Sequence, residues 1–179
     1  MADLGELMAG WLEGDLTVWP GYAVSGPDDE TAGLIPVLAR VNRAGFVTDQ
    51  SQPGCDGPGH DGARWEQRAA VSGLVADQGL MLALARVAEA HRLTILVRGV
   101  DDQTWIDGVT ATRVGGEDYT SFGARLTHRD LRHIWRGVSG TALDAIAEAL
   151  QVTLIDPEYG RNDRLWTALD EALDLAAAA

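Results

Sequence analysis

A helix closed by glycine and followed at once by a strand is the feature that most constrains this chain, and it lies in Gly26 to Gly54, GPDDETAGLIPVLARVNRAGFVTDQSQPG. Asp28 and Asp29 stand where side-chain acceptors and negative charge favour a helix N-terminus. Thr31, Leu34, Ile35, Leu38, Val41 and Asn42 fall on one helical face, Arg40 and Arg43 occupy the last turn, and Gly45 supplies the left-handed stop. Pro36 removes a backbone donor, so it bends this helix or moves its true start later. Phe46 to Thr48 reads as a short strand, and Asp49-Gln50-Ser51-Gln52-Pro53-Gly54 as the loop leaving it. That loop is dense in hydroxyl and amide groups, so the unit reads as a cradle for a small molecule.

Helices and short strands alternate around this unit. Leu4, Leu7, Met8, Trp11 and Leu12 make the stripe of a helix over residues 3–13, ended by Gly14. GCDGPGHDG, residues 54–62, reads as a mobile glycine-rich loop. The pattern then predicts a helix from Ala63 to Leu74 and another from Asp77 to His91. Leu93 to Val97 is apolar and β-branched, which predicts the centre of a sheet. Thr104 to Val114 fits two short strands around Asp107-Gly108, a dipeptide favoured in hairpins. Gly115 to Asp118 is another turn, and Tyr119 to Phe122 is extended. Thr127, with Asp130 three residues on, caps a helix through Trp135. A helix over 141–150, a buried strand from Val152 to Ile155 stopped by Asp156-Pro157, and a last helix from Asp163 to Leu175 complete the reading. No repeat or linker divides residues 1–179. The expected fold is α/β in the α+β sense: one layered domain in which mixed sheets of short strands are surrounded by about six helices.

Composition narrows the partners. At 179 residues, with 46% hydrophobic residues and a mean hydropathy of -0.07, the chain can bury a real core. Runs such as Leu80 to Ala85 are too short to cross a bilayer, so no membrane partner is expected. The N-terminus has no basic segment of a secretory signal, and Cys55 is the one cysteine, which together suit a reducing cytoplasm. A formal net charge of -13 repels phosphate backbones, which argues against nucleic acid. The chain has no lysine, so Schiff-base chemistry is excluded.

Glu30-Thr31 with Leu34-Ile35, then Val41-Asn42-Arg43 with Gly45, then Thr48 and Ser51-Gln52-Pro53 form a string of an acid and threonine, an amphipathic helix, a glycine, and a T-x-x-S-Q-P ending. This string resembles the C-terminal regulatory domain of eukaryotic methylenetetrahydrofolate reductase, which binds S-adenosylmethionine and inhibits that enzyme. Gly62 with Glu66-Gln67-Arg68-Ala69, Leu154-Ile155-Asp156, Asn162 and Leu165-Trp166 extend the likeness over almost the whole chain. The reductase's catalytic barrel has no counterpart, so neither flavin nor folate chemistry is implied, and the family's W-G-P-S-G segment is replaced by Asp56 to Gly62. The chain also resembles an uncharacterised actinobacterial group with the same T-x-x-S-Q-P string.

The resemblance implies a free-standing domain that binds S-adenosylmethionine or S-adenosylhomocysteine through Glu30, Thr31, Thr48 and Ser51. Thr110 and Thr120 are the nearest counterparts of two further family threonines, with Thr112 or Ser121 as substitutes. It implies a small adenosyl ligand, no metal, a partner enzyme to regulate, and room for a homodimer. The residue types suit the chemistry, because a ribose diol and an ammonium need carboxylate acceptors and polar edges need small hydroxyls. Blander readings exist for each position. Acids at helix starts are usually caps, buried threonines usually bond backbone, and Gln52-Pro53-Gly54 can be only a turn.

Two rival functions fit the same pocket: an enzyme that cleaves or rearranges an adenosyl ligand with Glu30 or Asp107 as general base, and a ligand-free interaction module. Cys55, Asp56, His60 and Asp61 lack paired zinc-ligand spacing, and His128 and His133 do not share a helical face. His91 in a last turn complements the helix dipole. Trp11, Trp135 and Trp166 read as core, while Trp65 and Trp105 flank polar loops where a ring can stack on adenine.

Overall fold

The computed structural model describes residues 1–19, 26–59, 62–99, 101–102 and 107–178. Its N-terminal part comprises α1 (Ala2–Leu12), a 3-10 helix (Asp29–Leu34), α2 (Ile35–Arg43), β1 (Phe46–Gln52), β2 (Cys55–Pro58) and β3 (Arg64–Val75). It continues with α3 (Gln78–Ala90), β4 (Thr94–Arg98), β5 (Val109–Val114), β6 (Glu117–Phe122), α4 (His128–Ile134), α5 (Gly140–Glu148), β7 (Leu150–Tyr159) and α6 (Arg164–Ala177). The fold is α+β. Among the described residues, six α-helices accompany one seven-stranded sheet, and every strand pair is antiparallel.

The spine of that sheet is β3, where the sequence pattern predicts a helix from Ala63 to Leu74. Arg64 to Gln67 lie between β2 and β5, and Ala70 to Val75 lie between β1 and β7. Residues 69–75 are buried on both faces, so polar alternation is lost, and Ala69-Ala70 carry helix propensity that pairing on both sides overrides. Leu93 to Val97, expected at the sheet's centre, instead supplies the edge strand β4, paired with β7 alone among the described residues. Val97 is accordingly exposed.

Other boundaries move for local reasons. Pro36 shifts the start of α2 to Ile35 and sits in its first turn, where a missing N–H costs nothing, and the preceding chain takes the tighter 3-10 form. The residues after Thr48 are not a loop: β1 continues to Gln52 along β3. Cys55 to Pro58 pair with β3 as well, where a mobile loop was expected, and Asp56 accepts from Arg64 Nε and Nη2 at 2.9 and 2.7 Å. His60 and Asp61 lie outside the described residues. The tight hairpin joins β5 to β6 at Gly115-Gly116, both at positive φ, rather than at Asp107-Gly108. Residues 103–106, including Trp105, lie outside the described residues. Strand β7 runs through Asp156-Pro157 to Tyr159, because Arg161 holds the buried Asp156 carboxylate through Nε and Nη2 at 2.9 and 3.0 Å.

The sheet has two unlike faces. Val71, Val75, Val152 and Leu154 face the main core with Leu38 and Val41 of α2, Leu84 and Val87 of α3, and Leu165 and Leu169 of α6. Fully burying a side chain of this size contributes about 1.5–3 kcal/mol. Val47 and Leu74 belong to a second cluster with Leu4 and Met8 of α1, Leu131 and Trp135 by α4, and Ile146 of α5. Ser72, Gln151 and Thr153 make this side polar in the middle, with Ser72 and Thr153 hydroxyls 2.8 Å apart. No helix among the described residues is long and apolar enough to cross a membrane.

Candidate functional site

The polar middle of the sheet opens into a cavity of about 820 Å³ bordered by α1, the 3-10 helix, β1, β3, β6, β7 and α4. Small-molecule sites occupy roughly 300–1,000 Å³. Glu30, Thr31, Thr48, Ser51 and Thr120 all line it. Residues far apart in sequence therefore meet at one surface. Thr110 does not border the cavity; its hydroxyl donates to Asp118 at 2.8 Å. Of the two substitutes, Ser121 lines the cavity, whereas Thr112 is buried and donates to Gln52 at 3.2 Å.

Strand β1 reaches the cavity through a bulge. Thr48 pairs with Gly73 and Gln50 with Ser72, which leaves Asp49 as the extra residue between them. A bulge of this kind re-aims side chains, and consecutive residues 48–52 all reach the lining. Gly73 permits the close approach. A Cβ there would collide with Val47 O and stand 2.7 Å from Thr48 Cα, both backbone atoms of β1.

Thr48 is fixed by Asn42, which is fully buried on α2. Asn42 Nδ2 donates to Thr48 Oγ1 and to Leu38 O, each at 2.8 Å, and Asn42 Oδ1 accepts from Thr48 N at 2.9 Å. The Thr48 hydroxyl thus has its acceptor side used and its proton available to a ligand. Thr31 and Ser51 hydroxyls make no hydrogen bond with any described residue. The remainder of the S-Q-P-G string is structural. Gln52 Nε2 donates to Arg68 O and Ala111 O at 2.8 and 3.2 Å, so this side chain ties β1 to β3 and β5. Gly54 lies against the backbone of Arg161, where a Cβ would clash, and its N–H donates to Asn162 Oδ1 at 2.9 Å. The same oxygen accepts from Trp166 Nε1 at 3.0 Å, which accounts for Asn162 and Trp166 without a ligand.

The charge of the lining is one-sided. Asp28, Glu30 and Asp49 border the cavity with His133, and no arginine does so among the described residues. Asp28 stands at the N-cap position of the 3-10 helix without a side-chain cap bond, while Asp29 and Glu30 supply the negative charge of its first turn. Asp49 is the residue that sequence reasoning missed. Its Oδ1 is sealed from solvent and has no hydrogen-bond partner. Burial pushes its carboxyl up to about 6, against the opposing pull of the Asp49 and Gln50 amides. An acid directly after Phe46-Val47-Thr48 is the available signal, which the loop reading of Asp49 to Gly54 hides.

Aromatic residues reach the cavity from a different place than expected. Trp11 and Trp19 line it, whereas Trp65 packs edge-on against Tyr119 at 5.4 Å between ring centroids on the outer strands. Asp107 is exposed and does not border the cavity. His91 Nε2 lies 2.7 Å from Glu171 of α6, so its partner is that side chain. His128 stands 3.6 Å from Asp101, and His133 faces the cavity. Among the described residues no cluster of three His, Cys, Asp or Glu side chains could hold a metal ion.

A comparison with curated proteins finds none that matches the sequence. The family described as a domain of unknown function (DUF6919) matches residues 1–176, nearly the full length, and the chain therefore belongs to that family.

Proposed function

We propose that this chain binds S-adenosylmethionine or S-adenosylhomocysteine in the cytoplasm, as a sensor, a sink or the regulatory partner of another enzyme. The observation that carries the reading is the convergence of Glu30, Thr31, Thr48, Ser51 and Thr120 on a single cavity whose ionisable lining is acidic apart from His133. Free hydroxyls suit the polar edges of adenine and ribose, and exposed carboxylates suit a diol or an ammonium. Trp11 and Trp19 offer apolar ring surface beside them. A phosphate-bearing ligand finds no arginine there among the described residues, and this argues against nucleotides.

One observation favours a second reading. A carboxyl raised to about 6 inside a cavity is also what a general base requires, so an enzyme acting on an adenosyl ligand would use Asp49 rather than Asp107. Titration calorimetry with each ligand, followed by chromatography of the mixture, separates the two. Binding with the ligand intact supports the sensor, turnover supports the enzyme, and absence of heat from either ligand overturns both.

A further inference from the structure

We infer that the Asp49 carboxylate is the counter-charge for a ligand cation, and that it makes the cavity select the sulfonium form, S-adenosylmethionine, over the neutral thioether of S-adenosylhomocysteine. The inference rests on the adenosyl-ligand reading and adds the residue that chooses between the two ligands. Asp49 is the extra residue of the β1 bulge, so it is placed at the cavity by a backbone irregularity. Asp49 is half-buried and its Oδ1 makes no hydrogen bond, so ionising this carboxylate is costly unless a positive charge stands nearby.

The enclosure favours one cation over the other that such a ligand carries. An ammonium is strongly hydrated and presents three donors, which suits the exposed Asp28 and Glu30 at the cavity's rim. A sulfonium has no N–H to satisfy and needs only nearby negative charge in a poorly hydrated place. Asp49 is the half-buried carboxylate of the lining, with Oδ1 closed to solvent, and a charge pair is stronger there than at the exposed rim. The other titratable groups on the cavity are Asp28 at the N-cap and Glu30 in the first turn of the 3-10 helix, and His133 from α4; the lining residues of α1, α2, β3, β6 and β7 contribute none. The two ligands share their ammonium and carboxylate, so the ratio of their affinities isolates the sulfonium contribution from the rim groups.

The test is titration of both ligands into the wild-type protein and Asp49→Asn between pH 5 and pH 7. At pH 7 the wild type is expected to prefer S-adenosylmethionine by roughly tenfold or more, the scale of one charge pair of about 1.4 kcal/mol. That ratio should fall toward unity by pH 5, as the carboxyl takes up its proton, and should sit near unity at both pH values in Asp49→Asn. Equal affinities in the wild type at pH 7, a ratio independent of pH, or a preference that survives in Asp49→Asn overturns the inference while leaving the ligand reading intact. Failure of both ligands to bind the wild type overturns the ligand reading and this inference with it. Because an imidazole also gains charge over this pH range, His133→Gln is titrated in parallel, and loss of the pH dependence in that variant overturns the inference even if Asp49→Asn does not fold.

Discussion

Asn42 grips Thr48 from two sides, accepting its backbone N–H at 2.9 Å and donating to its Oγ1 at 2.8 Å. The two bonds have different consequences. In Thr48→Ala the N–H bond survives, so stability should fall by only about 1 kcal/mol, while ligand affinity drops roughly five- to tenfold with the lost donor. Asn42→Leu strands the Thr48 amide in the core, while Leu38 O keeps its helical partner at residue 42, and the change should cost about 2–3 kcal/mol. Denaturant unfolding and calorimetry on the pair give the comparison. Equal destabilisation by the two variants would mean that the hydroxyl of Thr48 is structural.

Ser51 has no such attachment. Its hydroxyl lines the cavity and makes no hydrogen bond with a described residue, so Ser51→Ala should change unfolding free energy by no more than about 0.5 kcal/mol. Affinity for the adenosyl ligand should nevertheless fall roughly five- to tenfold. A large loss of stability with unchanged binding would remove Ser51 from the site.

The neighbouring Gln52 should behave in the opposite way. Its amide bonds two backbone carbonyls and accepts from Thr112, all in buried or half-buried surroundings. Gln52→Leu leaves those groups without partners and should lower stability by about 2–4 kcal/mol. Thermal unfolding checks this, and a melting point unchanged from the wild type would show that the cross-strand tie is dispensable.

These residues show where sequence reading succeeds and where it stops. Helix periodicity places α1 and α3 because each buries a single stripe, which leaves an imprint at a spacing of three and four residues. The Thr127 and Asp130 capping box was equally legible, since it is a local hydrogen-bond pattern. β3 was not, because a strand paired on both flanks and buried on both faces shows no alternation. At the site, hydroxyls and acids could be picked out as residue types, but the bulge that turns Asp49 toward the cavity arises from register against Gly73 and Ser72. Likewise Trp11 was legible as an apolar helix residue, yet its exposure to the cavity depends on what α1 packs against. Sequence separates Ser51 from Gln52 no better, since both are polar and adjacent. Only the hydrogen bonds across the sheet tie Gln52 to the frame and leave Ser51 at the cavity wall.

Asp49 gives a stability prediction with a definite sign. Its carboxyl is raised from 3.8 to about 6 by burial, so between these values the folded protein holds a proton that the unfolded chain has released. The stabilisation from that proton is complete below about pH 4 and is lost as pH rises through about 6. Above this range the ionised, enclosed group opposes folding by about 3 kcal/mol at most. Asp49→Asn should therefore be more stable than the wild type at pH 7.5, with the advantage shrinking as pH falls toward 4. Asp56, Asp118 and Asp130 shift the other way, the first two through arginine partners and the third through Thr127, and they contribute the same trend to both proteins. The difference between wild type and variant in urea unfolding, followed across pH 4 to 7.5, isolates the one group. A difference that stays constant with pH, or a variant less stable than the wild type at pH 7.5, would show that burial does not raise the Asp49 carboxyl in the folded protein. The expected pattern is a destabilised residue kept at a cavity wall, where the stability lost in the empty protein is recovered when a cation binds beside it.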